Sequence, residues 1–197
     1  MENKIIKGTE FSEYEARIKV LVLSFSVQLE NLASKFLKSA LKLDDGAISL
    51  GNTGQALSMN HKLTLMLDSK LLDPEYKKYI KAFFEIRNQF VHNAKAKTFE
   101  DCLSFLKGTE TFMEKSYLKK KNENERAGGT RAEKEKADEE TNDKELMLFD
   151  ISDKEKLLYK YWISLCEDVI IGFERIALRV ELKGFEIKKA ANNTYSK

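Results

Sequence analysis

The chain has 197 residues, with 34 Lys+Arg against 32 Asp+Glu, one Pro, nine Gly, two Cys and 42% hydrophobic residues. That composition argues against collagenous, disulfide-stapled and membrane-spanning classes. The formal net charge of +2 interleaves both signs, so any binding of RNA or DNA would rest on a local patch and not on a pervasive positive field.

Scarce Pro and Gly leave little material for the frequent turns of an all-β protein, whereas Lys, Glu, Leu and Ala favour helices. Cys102 and Cys166 have no CxxC partner. They read as reduced thiols used for packing in a cytoplasmic protein. Near the start, Glu2, Glu10, Glu13 and Glu15 flank a longest apolar run that covers only residues 20–27. This predicts neither a signal peptide nor a membrane anchor.

Residues 11–43 place Tyr14, Ile18, Leu21, Phe25, Leu29, Leu32 and Phe36 at spacings of mostly three and four, which predicts one long amphipathic helix. A second row through Val22, Ala33, Leu37 and Ala40 widens its apolar stripe, as expected of a helix with neighbours on more than one side. Gly46, Gly51 and Gly54 mark the loop after it, and a shorter helix is predicted over about residues 55–70.

Asp73, Pro74 and Glu75 supply an N-cap, a proline at the first helical position and an acid in the first turn. The third helix should run from there through Tyr76, Ile80, Phe83, Phe84, Ile86 and Phe90, ending in the sequence IRNQFVHN. Thr98 and Asp101 resemble a capping box opening a fourth helix through Phe99, Leu103, Phe105, Leu106, Phe112, Met113 and Tyr117, with Gly108 as a break or kink.

Residues 119–145 hold eight Lys/Arg and nine Asp/Glu, with three alanines as their only hydrophobic residues. Nothing in this stretch is expected to be buried. It reads as a disordered insertion, or alternatively as a solvated helical extension held by i,i+4 ion pairs. Ser152 and Glu155 form another capping-box signature. The last helix should carry Leu158, Tyr161, Leu165, Val169, Phe173, Ile176 and Val180, stop at Gly184 and leave residues 185–197 as a frayed tail. Its apolar face has no partner of its own and must fold back on the earlier helices. One all-α helical-bundle domain over residues 1–197, interrupted by a charged insertion, is expected.

Of the two histidines, His61 lies beside Lys62 with no carboxylate or cysteine at a ligand spacing, so a structural role is expected. His92 is set differently. Arg87, Asn88 and His92 put a cation, a carboxamide and an imidazole within six residues at a helix end. In an ideal helix Asn88 and His92 share a face, but Arg87 and His92 diverge by about 140° and roughly 7.5 Å along the axis. Convergence would need either a loosened helix near His92 or a two-fold axis that brings in the same segment of a second chain. The plain alternative is that Arg87 and Asn88 tie down the helix end while His92 complements the negative end of its dipole. Glu30, between Leu29 and Leu32, could reach the motif in a bundle, although position alone favours a solvated face.

IRNQFVHN resembles the Arg-x4-His motif of the HEPN superfamily, with Asn88 as the polar residue directly after the arginine. The wider resemblance is to the mannitol operon repressor branch. It covers VQLENLASKFLKSAL, LLDPEYKKYIKAFFEIRNQFVHN, KTFEDCLSFL and EKLLYKYWISLCEDVIIGFERIAL, with residues 119–145 as an insertion.

The resemblance implies a HEPN-type antiparallel bundle of about five helices. It also implies a metal-independent endoribonuclease of the toxin or defence type, in which a ribose 2′-OH attacks the adjacent phosphate. Arg87, Asn88 and His92 would be its catalytic residues. His92 would serve as general acid/base because imidazole titrates at about pH 6.5, and Arg87 would stabilise charge on the phosphoryl oxygens. Asn88 would position the phosphate or orient His92. No cofactor or metal is implied. RNA, a second copy of the chain and an antitoxin or activator protein are the implied partners. The alternative functions are a non-enzymatic transcriptional regulator acting through protein contacts, and a helical dimerisation module in which the motif is only a clamp. No GxxxxGK[ST], GxSxG or HExxH motif supports another enzyme class.

Overall fold

A computed structural model describes residues 13–51, 54–127 and 149–194. Among these the chain is all-helical: α1 (Glu13–Leu41), a 3-10 turn (Ile48–Leu50), α2 (Met59–Asp68), α3 (Pro74–His92), α4 (Phe99–Ser104), α5 (Thr109–Ala127) and α6 (Asp153–Thr194). The six helices, where about five were expected, arise because Gly108 adopts a left-handed φ of 82° and splits the predicted fourth helix into α4 and α5.

Helix α6 is the hub and packs against α1, α3, α4 and α5, so the last segment does fold back onto the first ones. The predicted row Leu158, Tyr161, Leu165, Val169, Phe173 and Ile176 is buried throughout. Gly172 lets α6 approach α3 closely, since a Cβ there would stand 3.0 Å from the Cβ of Tyr76. Phe99 ties three helices together, its ring centroid lying 5.4 Å from Phe90, 6.1 Å from Tyr159 and 5.3 Å from Trp162.

Helix α1 draws its buried face from both predicted rows: Tyr14, Ile18, Val22, Leu29, Ala33 and Leu37 are inside, while Leu21 and Leu32 lie at the edge. Helices α2, α3 and α6 pack against it. Among the described residues it is the one helix long and apolar enough to cross a membrane, and a third of its apolar window is buried within the fold.

Helix ends depart from expectation in instructive ways. The chain leaves α1 and α2 through left-handed Lys42 and Lys70 and not through a glycine. Leu43 N–H donates to Lys38 C=O at 2.9 Å and Leu71 N–H to Met66 C=O at 2.8 Å, the six-to-one bonds that close a helix C-terminus. Asp73 sits at the N-cap of α3, yet its carboxylate makes no cap bond. It pairs instead with Arg179 of α6, whose guanidinium also donates to the carbonyls of Lys70 and Leu71, each at 3.3 Å.

The Ser152 hydroxyl accepts from Glu155 N–H at 3.0 Å as a capping box requires, but the Glu155 carboxylate does not turn back. It crosses to α4 and accepts from Phe99 N–H at 2.7 Å, Glu100 N–H at 2.8 Å and the Tyr14 hydroxyl at 2.8 Å.

Two expectations about the charged regions are corrected. The first part of the predicted insertion, 119–127, belongs to α5, following the helical alternative with an i,i+4 pair between Lys119 and Glu123. Against the expectation of full solvation, Lys120 donates to Ser164 C=O at 2.7 Å and pairs with Asp168 at 3.0 Å. Its half-buried amine is held because α6 presents acids at Glu167 and Asp168. Residues 128–145 of the insertion lie outside the described residues. Gly184 does not end α6, which continues to Thr194. A helical glycine costs only about 1 kcal/mol, too little to stop a helix flanked by good formers. The end of the expected frayed tail, 195–197, lies outside the described residues, as does the expected start of the first helix at residues 11–12.

Candidate functional site

The motif occupies the last turns of α3, where Asn88 and His92, four apart, share a face, and Arg87, three residues after Phe84 and four before Val91, lies to one side of it. Phe84 is buried and fixes the rotation of that face. Arg87 is thereby directed toward α1, where its Nη2 lies 3.7 Å from Glu30 Oε1, and its Nη1 donates to Asn88 Oδ1 at 3.1 Å. The guanidinium Nε is buried and has no hydrogen-bond partner among the described residues.

His92 is exposed in the final turn and makes no hydrogen bond or ion pair with a described residue. Helix α3 remains regular through His92, so the loosening that could have drawn it toward Arg87 does not occur. Next to it Asn93 is engaged, donating to Gln89 Oε1 at 3.0 Å and accepting from Lys95 N–H at 3.0 Å. The single chain therefore joins Arg87, Asn88 and Glu30 and leaves His92 one turn away.

Arg87, Asn88 and Glu30 border a cleft of about 520 Å³ between α1, α3 and the start of α2. Val27, Leu57 and Phe84 contribute apolar wall, and Asn31, Ser58 and Asn60 polar rim. No family model, curated protein or solved structure matches the chain. The cleft's chemistry is carried by its own side chains.

Lys62 is the cleft residue that was not anticipated. It lines the cleft, is only 3% exposed, and its ammonium donates to Ser34 Oγ at 2.9 Å. Ser34 in turn donates to Glu30 C=O at 2.9 Å, so a neutral hydroxyl and not a carboxylate receives the buried cation. Burial lowers the pKa of Lys62, with the Glu30 charge opposing the shift. The signal was present in the sequence, because Met59, Lys62, Leu63 and Met66 share the buried face of α2 and put a lysine into an apolar row.

His61 is exposed, with Nδ1 3.1 Å from the Ser58 hydroxyl that caps α2. Cys102 and Cys166 are buried free thiols whose pKa values burial pushes up, that of Cys102 to about 12. Among the described residues no three His, Cys, Asp or Glu side chains gather as a metal site.

Proposed function

We propose that this chain is a HEPN-type, metal-independent endoribonuclease working as a cytoplasmic homodimer. The observation that carries the reading is the division of labour along α3: Arg87 and Asn88 are fixed at the wall of an open cleft, while His92 stands unpartnered one turn beyond Asn88. A basic fork and a free imidazole suit phosphoryl chemistry. The imidazole would take the proton of the ribose 2′-OH as the O2′–P bond forms and the P–O5′ bond breaks, and water would return a proton to the departing 5′ oxygen. Arg87 would neutralise charge on the non-bridging oxygens, held by Asn88.

A second copy supplies what one chain lacks. Val20, Leu23 and Val27 are exposed on α1 at spacings of three and four, three residues before Glu30, and exposed Val91 follows Arg87 by one turn. An apolar strip on α1 and a single exposed valine on α3 thus border the Arg87–Glu30 pair. An isologous interface over them would bring two Arg and two His to one cleft. The near-neutral charge suits a narrow RNA target or activation by an antitoxin or other protein partner better than broad RNA scavenging.

The test incubates wild type, Arg87→Ala and His92→Ala with cellular RNA in EDTA and sequences the 5′-OH ends. Cuts by wild type alone support the reading, and identical ends from all three overturn it. The same exposed residues also suit the second reading, a mannitol operon repressor-like regulator acting through protein contacts, which predicts no cuts.

A further inference from the structure

The cleft holds more cationic chemistry than a single Arg-His pair would use. Lys62 is a buried ammonium with three donors and one described hydrogen bond, and no carboxylate lies at ion-pair distance from it. A buried cation of this kind is costly unless an anion or further acceptors complete its shell.

The same cleft is lined by Ser58, Met59 and Asn60, the first turn of α2. Ser58 receives His61 N–H on its side chain and Lys62 N–H on its carbonyl, which leaves the amides of Met59 and Asn60 without an intrahelical acceptor. Across the cleft Arg87 Nε is buried and also lacks an acceptor. The opposing anion, Glu30, is half-exposed and sits 3.7 Å from the guanidinium, a weak pair that another anion can displace. Lys62, Arg87 and the first turn of α2 therefore border one space, and Arg87 Nε and Lys62 have fewer acceptors there than donors.

We infer that this cleft is a phosphoryl-binding subsite, in which Lys62 and the first turn of α2 hold a backbone phosphate next to the one that Arg87 and His92 would act on. The inference rests on the ribonuclease reading for the identity of the ligand, but not for the chemistry of the pocket. Lys62 is a binding residue here, and Glu30 is the internal competitor that occupies Arg87 when no phosphate is present.

The test measures binding of two probes by titration calorimetry: inorganic phosphate, and a 2′-O-methyl oligoribonucleotide that cannot be cleaved. The proteins are full-length wild type, Lys62→Met, Glu30→Gln and His92→Ala, with Lys62→Met chosen because it keeps the buried stem and removes only the charge. Lys62→Met should weaken both probes about tenfold, the loss of one charge-assisted hydrogen bond. Glu30→Gln should tighten both, and His92→Ala should weaken both less than Lys62→Met does. Phosphate should also raise the melting temperature of wild type and not that of Lys62→Met, which reads occupancy independently of calorimetry.

Equal binding by wild type and folded Lys62→Met overturns the subsite, as does a wild type that binds neither probe. Cleavage of natural RNA that is insensitive to Lys62→Met, with unchanged affinity, sinks the subsite and leaves the ribonuclease reading standing. Lys62-dependent binding of both probes without any cleavage does the reverse. Binding of phosphate but not the oligonucleotide keeps the pocket and assigns it to a small phosphorylated ligand.

Discussion

Glu155 and Lys62 are both charged groups buried in the same bundle, and the protein treats them in opposite ways. Glu155 is saturated: two backbone amides and a tyrosine hydroxyl, from two other helices, fill its oxygens at 2.7 to 2.8 Å. Lys62 receives one neutral hydroxyl, and the Arg87 Nε across the cleft receives nothing among the described residues. A saturated buried charge is a joint that fixes the positions of α1, α4 and α6. An undersupplied one beside an open cleft is a group kept for something else.

The largest effects are expected at the motif itself. Replacing His92 or Arg87 with alanine should lower RNA cleavage by roughly 10²- to 10⁴-fold, the range for losing an acid/base or oxyanion-type group, with little change in unfolding free energy. Activity assays and urea melts on the same preparations check both halves.

At the saturated joint the expectation inverts. Glu155→Ala strands Phe99 N–H, Glu100 N–H and the Tyr14 hydroxyl in the interior, and should cost about 3–5 kcal/mol of stability by denaturant melts.

Smaller is the pH effect at the same residue. Burial raises the Glu155 pKa above the ordinary 4.5, outweighing the three hydrogen bonds that favour its charged form. Between the unfolded and folded values the native state holds a proton that the unfolded chain has released. The Glu155 contribution to stability is therefore full below that window and declines as pH rises through it. Glu155→Gln removes this contribution, so melts of the two proteins across pH 4 to 7 should show the wild-type advantage shrinking as pH rises. An advantage that grows with pH would contradict the assignment.

The smallest effect belongs to Lys62. Lys62→Met should leave stability within about 1 kcal/mol of wild type or raise it, because a poorly paired buried charge contributes little to the fold. A loss of several kcal/mol in the same melts would class Lys62 with Glu155 as a structural joint.

Much of this architecture was legible in the sequence because helical periodicity reports burial directly. The rows in α3 and α6 predicted their core residues, and Ser152 and Thr98 act as caps where expected. What escaped detection depends on tertiary partners. Glu155 bears the pattern of a local capping box, yet its carboxylate accepts from the α4 amides and the Tyr14 hydroxyl, partners that only the packed bundle brings to it. Lys120 sits in a stretch that composition marks as fully solvated, and only the acids of α6 give it a place. Gly108 and Gly184 look alike as helix breakers, but one takes a left-handed φ between α4 and α5 and the other lies within a helix of 42 residues. At the site, Arg87, Asn88 and His92 were visible as a motif and Glu30 as a position. The cleft and Lys62 required the packing of α2 against α1.

The central claim is that the α3 motif completes a cleaving site across two chains. Its most direct measurement is RNA cleavage in EDTA by an equimolar mixture of Arg87→Ala and His92→Ala after subunit exchange, read as new 5′-OH ends. Each variant alone should be inactive, and the mixture should recover about a quarter of wild-type cleavage, because half the dimers are mixed and each rebuilds one intact site of two. A mixture as silent as its components, with mixed dimers shown to form and wild type active, would contradict the shared site.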